Sequence, residues 1–442
     1  MGRYGGVDIG TSSVKVGVYD ESGRRLGFER RPHPTIRPLP GHAEQDPNAW
    51  LHAVRGCLTE AGPLDGISFG GLMSTFVPVG GDGVSLGMAV TWEDQRRPAD
   101  LPDTVPTSSY RSRSDWFRQT NPDVWSQSRW LLLPKDYVIL GLAGGTIGDV
   151  LSWNGVLKLD GSGLDPDLDE EARSRIPTLG PPDATVASRF GPLRIGLPDA
   201  VAAVVGCGLD TNTAYSISGT SEVIAILSDV AESSRDIRSV VPLCGRWLHA
   251  GPSSSGGMVL EWAAKILTSG DVAGLSHRAQ QSAHRNPPLF VPYLSGERAP
   301  MWNSRLKGAF LDLEADHTTD DLCFAVLEGV QFAVRRLLAA VEGSTRVSTQ
   351  RMRGAGGSLS DPFIAQLRAD RCNRMLEVAA DPETASRGAA CLAAAGVIEK
   401  LEETASRFSA SRLVYEPRAS HFADERFQRW FRGTEHLTAS AT

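Results

Sequence analysis

The sequence predicts an α/β fold built from two related halves. Three observations lead there. Short alternating apolar runs and longer amphipathic runs follow one another along 442 residues, the pattern of strands interleaved with helices. That length suggests two or three domains at roughly 100–200 residues each. One hairpin pattern occurs twice, about half a chain apart. Gly10-Thr11-Ser12 precedes Val14, Val16 and Val18, and Gly219-Thr220-Ser221 precedes Val223, Ala225 and Leu227.

The elements follow in order. Tyr4–Ile9, Val14–Tyr19 and Arg25–Glu29 read as a meander, with turns at Gly10-Thr11 and at Glu21-Ser22-Gly23. After a Pro-rich loop, Asn48–Ala61 reads as a helix with Asp46 as N-cap and Pro47 in its first turn. Gly66–Gly70 and Phe76–Val79 read as strands, and Val124–Leu142 as one helix. From Val201 an apolar run reads as a strand that ends in Gly206-Cys207-Gly208. Asp320–Glu342 is the longest helix, with Thr318 or Thr319 as its cap. Its Leu322, Val326, Val330, Val334 and Leu338 fall four apart on one face. A strand and glycine turn at 351–359, a helix over 361–371 and an Ala-rich helix over 385–395 complete the pattern. The expected domains are 1–214 and 215–432, followed by a flexible tail over 433–442.

Composition narrows the function classes. The hydrophobic fraction is 41%, the charged fraction 22% and the net charge −7, with no basic patch to suggest nucleic acid. The six Cys are far apart and lack metal-ligand spacing. No apolar run reaches the roughly 20 residues of a membrane span. The N-terminus enters a strand directly, without a secretory pattern, so a cytoplasmic enzyme is expected.

A Gly-Thr-Ser turn gathers backbone N–H groups and hydroxyls at one point, an arrangement that suits phosphate oxygens. One such turn is commonly just a polar hairpin tip. Two copies half a chain apart suggest a pair of hairpins facing one polyphosphate. Asp8, before the first turn, could hold Mg²⁺ through water, and Lys15 could face the nucleotide or solvent. Asp210 follows the Gly-Cys-Gly turn. It reads equally as a base at a strand end or as the N-cap of a helix from Thr211. Gly66–Gly70 fits the G-x-S-x-G pattern of hydrolases, but Ile67 and Phe69 continue a strand and no helix follows.

Five blocks together resemble the FGGY carbohydrate kinases, within the actin-like ATPase superfamily, from about Tyr4 to about Phe431. They are "VDIGTSSVKVGVYDESG" at Val7, "TWEDQRRPAD" at Thr91, "GCGLDTNTA" at Gly206, "PYLSGERAPMWNSRLKGAFLDLEADHTTDDLCFAVLEGVQFAV" at Pro292 and "RMRGAGGSLSDPFIAQLRADRCN" at Arg351. The resemblance implies two domains with actin-like (ribonuclease H-like) mixed sheets flanked by helices and an active-site cleft between them. It implies ATP and Mg²⁺ as cofactors and a small sugar as substrate, with a homodimer as a candidate assembly. Gly10, Thr11, Ser12, Lys15, Gly219, Thr220, Ser221, Gly356, Gly357 and Ser358 would contact ATP, with Asp8 at the metal. Met73, Ser74, Trp92, Asp94 and Arg96 would line the sugar site. Asp210 would be the general base.

The chain also departs from the family pattern. Leu72-Met73-Ser74 stands where members often carry Gln-Met-His. Asp312 stands where a Gly is usual, and Arg113 is nearest to an expected Lys. Nine positions separate Asp210 from Gly219, where typical members have a helix and a loop. The implied activity is phosphorylation of a ketose such as xylulose. The alternatives are binding without turnover, or a non-standard acceptor such as a cyclitol or modified sugar.

Overall fold

The computed structural model describes residues 2–101, 105–157, 163–282, 286–409, 411–418 and 421–440. By contacts the chain forms two compact units. One holds Met1–Gly208 with Ala385–Ser409, and the other Leu209–Thr384 with Ala410–Thr442.

The first unit carries β1 (Arg3–Ile9), β2 (Ser13–Asp20), β3 (Arg25–Pro32), α1 (Pro47–Ala61), β4 (Gly66–Gly71), α2 (Tyr110–Thr120), α3 (Pro134–Ala143), β5 (Thr185–Val186), β6 (Leu193–Pro198) and α4 (Asp199–Gly206). Its six-stranded sheet has the order β5-β6-β4-β1-β2-β3. β1 pairs antiparallel with β2 and parallel with β4, and β4 pairs parallel with β6. Alternation sends Val7, Ile9, Val14 and Val16 to one face, where they join Trp50 and Val54 of α1 and Val138 and Ile139 of α3. Each such buried side chain contributes about 1.5–3 kcal/mol. α1 starts as its sequence dictates: the Asp46 carboxylate accepts the Asn48 N–H, and Pro47 opens the first turn.

The second unit carries β7 (Thr213–Ser218), β8 (Glu222–Ser228), β9 (Ser239–Leu243), β10 (Arg246–Ser253), α5 (Gly257–Leu267), α6 (Thr319–Thr345), β11 (Arg351–Ala355), α7 (Pro362–Cys372), β12 (Met375–Ala379), α8 (Thr384–Ala395), β13 (Arg412–Tyr415) and α9 (His421–Ser440), of which α8 packs almost wholly with the first unit. Its seven-stranded sheet has the order β9-β10-β8-β7-β11-β12-β13. Each sheet thus centres on a hairpin whose first strand also pairs parallel with a later strand. Ala214, Ile224, Ile226 and Met352 of the second sheet pack on Val334 and Leu337 of α6 and Ala365 of α7. Thr318 caps α6 within a reciprocal bond pair with Asp321. α6 is buried from Cys323 through Val334, not along one stripe alone.

Five expectations need correction. The apolar run at 201–205 is helical, as part of α4, not a strand. So short an apolar run cannot be assigned from periodicity alone, and Pro198 ends the strand before it. No helix begins at Thr211; Asp210 enters β7 through a turn with Asn212 at φ 55°. The single helix expected over 124–142 is interrupted by a strand, Ser128–Leu132, and restarts at Pro134. The second half is not continuous, because α8 packs with the first unit. A Cβ on Gly6 would lie 1.8 Å from the Ser386 carbonyl, and one on Gly388 1.8 Å from the Ala202 carbonyl, so glycine permits both approaches. Finally, 433–440 belongs to α9, with Thr434 fully buried and Leu437 packed beside Trp430. Residues 441–442 of the expected tail lie outside the described residues.

Asp312 adopts φ 57°, the left-handed region a glycine takes freely, and its carboxylate meets Arg429 at 2.6 Å. Ser68 of the G-x-S-x-G pattern is fully buried within β4.

Candidate active site

In the first unit, three parallel strands end at one edge of the sheet. Ile9 and Pro198 are both register partners of Gly71, on either side of it. The residues that follow, Gly10, Leu72 and Asp199, therefore leave the same edge. The carboxyl ends of parallel strands are where ligands bind in open α/β sheets. The first hairpin turn is held there by bonds to its carbonyls. Gln45 Nε2 donates to Thr11 O at 2.7 Å, and the His33 N–H to Ser12 O at 3.0 Å. Gly10 N–H closes the turn onto Ser13 O at 3.1 Å. Asp8 is buried, and its Oδ2 lies 3.8 Å from Lys15 Nζ on the opposing strand.

Asp199 begins α4 and is half-buried. Its Oδ1 accepts the Ala200 N–H at 2.8 Å. A Cβ on Gly70 would lie 3.8 Å from its Cα, so β4 offers no side chain between the two. Asp199 is not among the site residues expected from the sequence. The available signal was an Asp directly after Leu197-Pro198, ahead of an Ala-rich run that forms a helix.

Met73 and Ser74 continue from the same edge, Ser74 at φ 56°. Phe76 and Val90 exchange backbone bonds, and the Trp92 N–H donates to Thr75 Oγ1 at 3.3 Å. Met73, Ser74 and Trp92 are thereby brought together, each half-buried.

Asp94 and Arg96 turn the other way. Asp94 is only 1% exposed. Its oxygens accept the Ala43 N–H at 2.8 Å, the Arg96 N–H at 2.9 Å and the Arg96 guanidinium at 2.7 Å, with Arg113 at 3.5 Å. Burial pushes this carboxyl up, but the Arg96 and backbone bonds outweigh it and leave it below the ordinary value. Arg113 is fully buried and lies beneath the segment, donating to Thr91 O, Asp94 O and Arg96 O. Burial lowers its guanidinium to about 10 despite the Asp94 charge. Arg96 also pairs with Glu44 at 2.6 Å and lies over the Trp116 ring at 4.5 Å. Asp94 thus anchors the segment rather than presenting its carboxylate to a ligand.

The second unit repeats the edge geometry. Ile217 is the register partner of Ala355, so Gly219-Thr220-Ser221 and Gly356-Gly357-Ser358 emerge side by side. Gly356 sits at φ 113°, where a Cβ would lie 2.0 Å from Ser218 O. Ser218 Oγ is 2.5 Å from Ser358 Oγ. The N-terminus of α5 also packs on the turn, with the Gly257 and Met258 N–H groups donating to Gly219 O and Thr220 O at 2.9 and 3.0 Å.

Asp210 lies at the other end. It precedes β7, while Gly219 follows it. Six residues of strand at about 3.3 Å each put roughly 20 Å between them. Its Oδ2 accepts Arg353 Nη2 at 2.9 Å, with Arg351 Nη1 at 3.9 Å. The structure brings it to an ion-pair group at the start of β7 and β11, not to the Gly-Thr-Ser edge.

Two family models match the chain: the N-terminal domain of the FGGY family of carbohydrate kinases over 3–100 and the C-terminal domain over 214–397. The chain belongs to the FGGY family of carbohydrate kinases. It is similar to the xylulose kinase of Escherichia coli (29% identity over 416 residues, 85% of this chain and 86% of that one). It is similar to that of Lactococcus lactis (26% over 452 residues, 91% and 90%) and to the gluconokinase of Bacillus subtilis (24% over 448 residues, 88% and 86%). The fold is that of the ligand-bound xylulose kinase from Lactobacillus acidophilus, with a TM-score of 0.87 at 22% identity, covering 100% of this chain and 99% of that one. As a member of this family the chain is an ATP-dependent sugar kinase. Among the described residues no helix is long and apolar enough to cross a membrane.

Proposed function

We propose that the enzyme phosphorylates a ketose of the xylulose type, with Asp199 as the general base. The observation that carries the assignment is that Asp199 leaves the sheet edge that also carries the Gly10-Thr11-Ser12 turn and Met73-Ser74. A base must lie within about 3 Å of the hydroxyl it deprotonates. A half-buried carboxylate at a helix start, on the edge where the substrate residues emerge, meets that need. Asp210 is engaged by Arg353 and lies a strand length from the Gly219-Thr220-Ser221 turn of its own unit.

In the proposed reaction the sugar hydroxyl oxygen bonds to the γ-phosphorus of ATP. The bond from that phosphorus to the β,γ-bridging oxygen breaks, ADP leaves, and the hydroxyl proton passes to Asp199. Each Gly-Thr-Ser turn offers N–H groups and hydroxyls suited to phosphate oxygens. Gly356 and Gly357 let the nucleotide approach the backbone. Trp92 and Met73 offer apolar surface to the sugar, and Ser74 a hydroxyl. Asp8 fits Mg²⁺ held through water, as a buried carboxylate beside the first turn; one carboxylate with waters and phosphate oxygens is a common Mg²⁺ set. The ion would neutralise phosphate charge.

The similarity to xylulose kinases over most of the chain supports a ketose acceptor, and the gluconokinase relative makes gluconate the rival. ADP release over ketoses, aldoses, polyols, cyclitols and gluconate tests it. Highest kcat/KM on a ketose supports the reading. Highest kcat/KM on gluconate or a cyclitol, or no turnover on any acceptor, contradicts it.

A further inference from the structure

A buried ion pair stands directly behind the second phosphate turn. Glu222, next after Ser221, is fully buried, and Arg368 of α7 is 1% exposed. Glu222 Oε1 accepts Arg368 Nη1 at 2.7 Å and Ser216 Oγ at 2.8 Å. Its Oε2 accepts Arg368 Nη2 at 3.2 Å and Ser218 Oγ at 2.7 Å. Arg368 Nε donates to Gln331 Oε1 at 2.7 Å. Such pairs seldom add net stability over apolar residues of similar size, so their geometry calls for another use.

The use follows from counting protons. A hydroxyl has one hydrogen to donate. Ser218 gives its hydrogen to Glu222, so in the 2.5 Å contact with Ser358 the donor is Ser358. Ser358 is half-buried and opens from the Gly356-Gly357 loop. With its hydrogen committed, it can offer a ligand only lone pairs. A phosphate oxygen, itself an acceptor, does not fit there; a hydroxyl does.

We propose that Glu222 and Arg368 are positioning residues that set Ser358 to accept a hydrogen bond from a ribose hydroxyl of the nucleotide. This rests on the reading that the Gly356–Ser358 loop holds ATP, and it narrows the Ser358 contact to the ribose.

The test is calorimetric binding of ADP, 2′-deoxyADP and 3′-deoxyADP to the full chain, wild type and variants. Wild type is expected to bind ADP about 5-fold more tightly than one of the deoxy analogues, the effect of one hydrogen bond. Ser218→Ala removes the partner of the Ser358 hydrogen, and the paired change E222L/R368L removes the charges without leaving one unpaired. In both, the ratio should fall below about 2-fold while the KM for sugar stays unchanged. A wild type that binds all three equally overturns the proposal. So does a folded Ser218→Ala protein that keeps the full ratio. A wild type that binds no ADP at all overturns the nucleotide reading as well, which separates the two failures.

Discussion

Asp199 and Gly10 leave the same edge of one six-stranded sheet, because Pro198 and Ile9 are both register partners of Gly71. With strands about 4.8 Å apart, two steps across the sheet put the two strand ends about 10 Å apart. The proposed base on one strand end and the proposed phosphate turn on the other would leave room for a sugar hydroxyl. The arrangement lies wholly within the first unit.

Arg113 should matter to the sugar and not to the nucleotide. It bonds three carbonyls of the segment that carries Trp92. Arg113→Met leaves the buried Asp94 without one of its cations and should cost about 3–5 kcal/mol of stability by denaturant titration. In the folded fraction the KM for sugar should rise several-fold, with the KM for ATP unchanged. Arg113→Lys should rescue little, since lysine lacks the planar fork. Equal changes in both KM values would contradict this role.

Gly356 and Gly357 are neighbours with opposite expectations. Gly356→Ala puts a methyl against Ser218 O at φ 113° and should cost about 1–3 kcal/mol and weaken ATP. A Cβ at Gly357 meets nothing within 4 Å, so Gly357→Ala should stay within about 0.5 kcal/mol. Thermal unfolding with and without ADP checks both.

Acidification should loosen the Gly10-Thr11-Ser12 turn. His33 is 8% exposed, and burial holds its imidazole below the ordinary value. A folded pKa below the unfolded value of about 6.5 means the contribution is complete above pH 6.5 and lost as pH falls through the folded pKa. Tm should therefore fall between pH 7.5 and 5. His33→Leu should flatten that slope; an unchanged slope would show that His33 does not carry it.

The two Gly-Thr-Ser hairpins were legible because such a tip followed by strict alternation has few other solutions. The caps at Asp46 and Thr318 were legible for the same local reason. Other features depend on residues distant in the chain. Asp94 looked like a ligand-facing carboxylate; Ala43 and Arg113, far from it in sequence, turn it inward. The Ala-rich α8 reads as a helix, but its place in the first unit depends on Gly6 and Gly388 permitting backbone contact. Asp199 was hidden by its own run, where Val201, Val204 and Val205 suggest a strand. The misplaced strand carried the candidate base forward to Asp210.

The most direct measurement is kcat on the best sugar for Asp199→Asn and Asp210→Asn, made side by side. Loss of a general base costs about 10²–10⁴-fold. Asp199→Asn is expected to show that loss with little change in KM, and Asp210→Asn a kcat within about 3-fold of wild type. A near-normal rate for Asp199→Asn, with the loss appearing in Asp210→Asn, would contradict the Asp199 assignment.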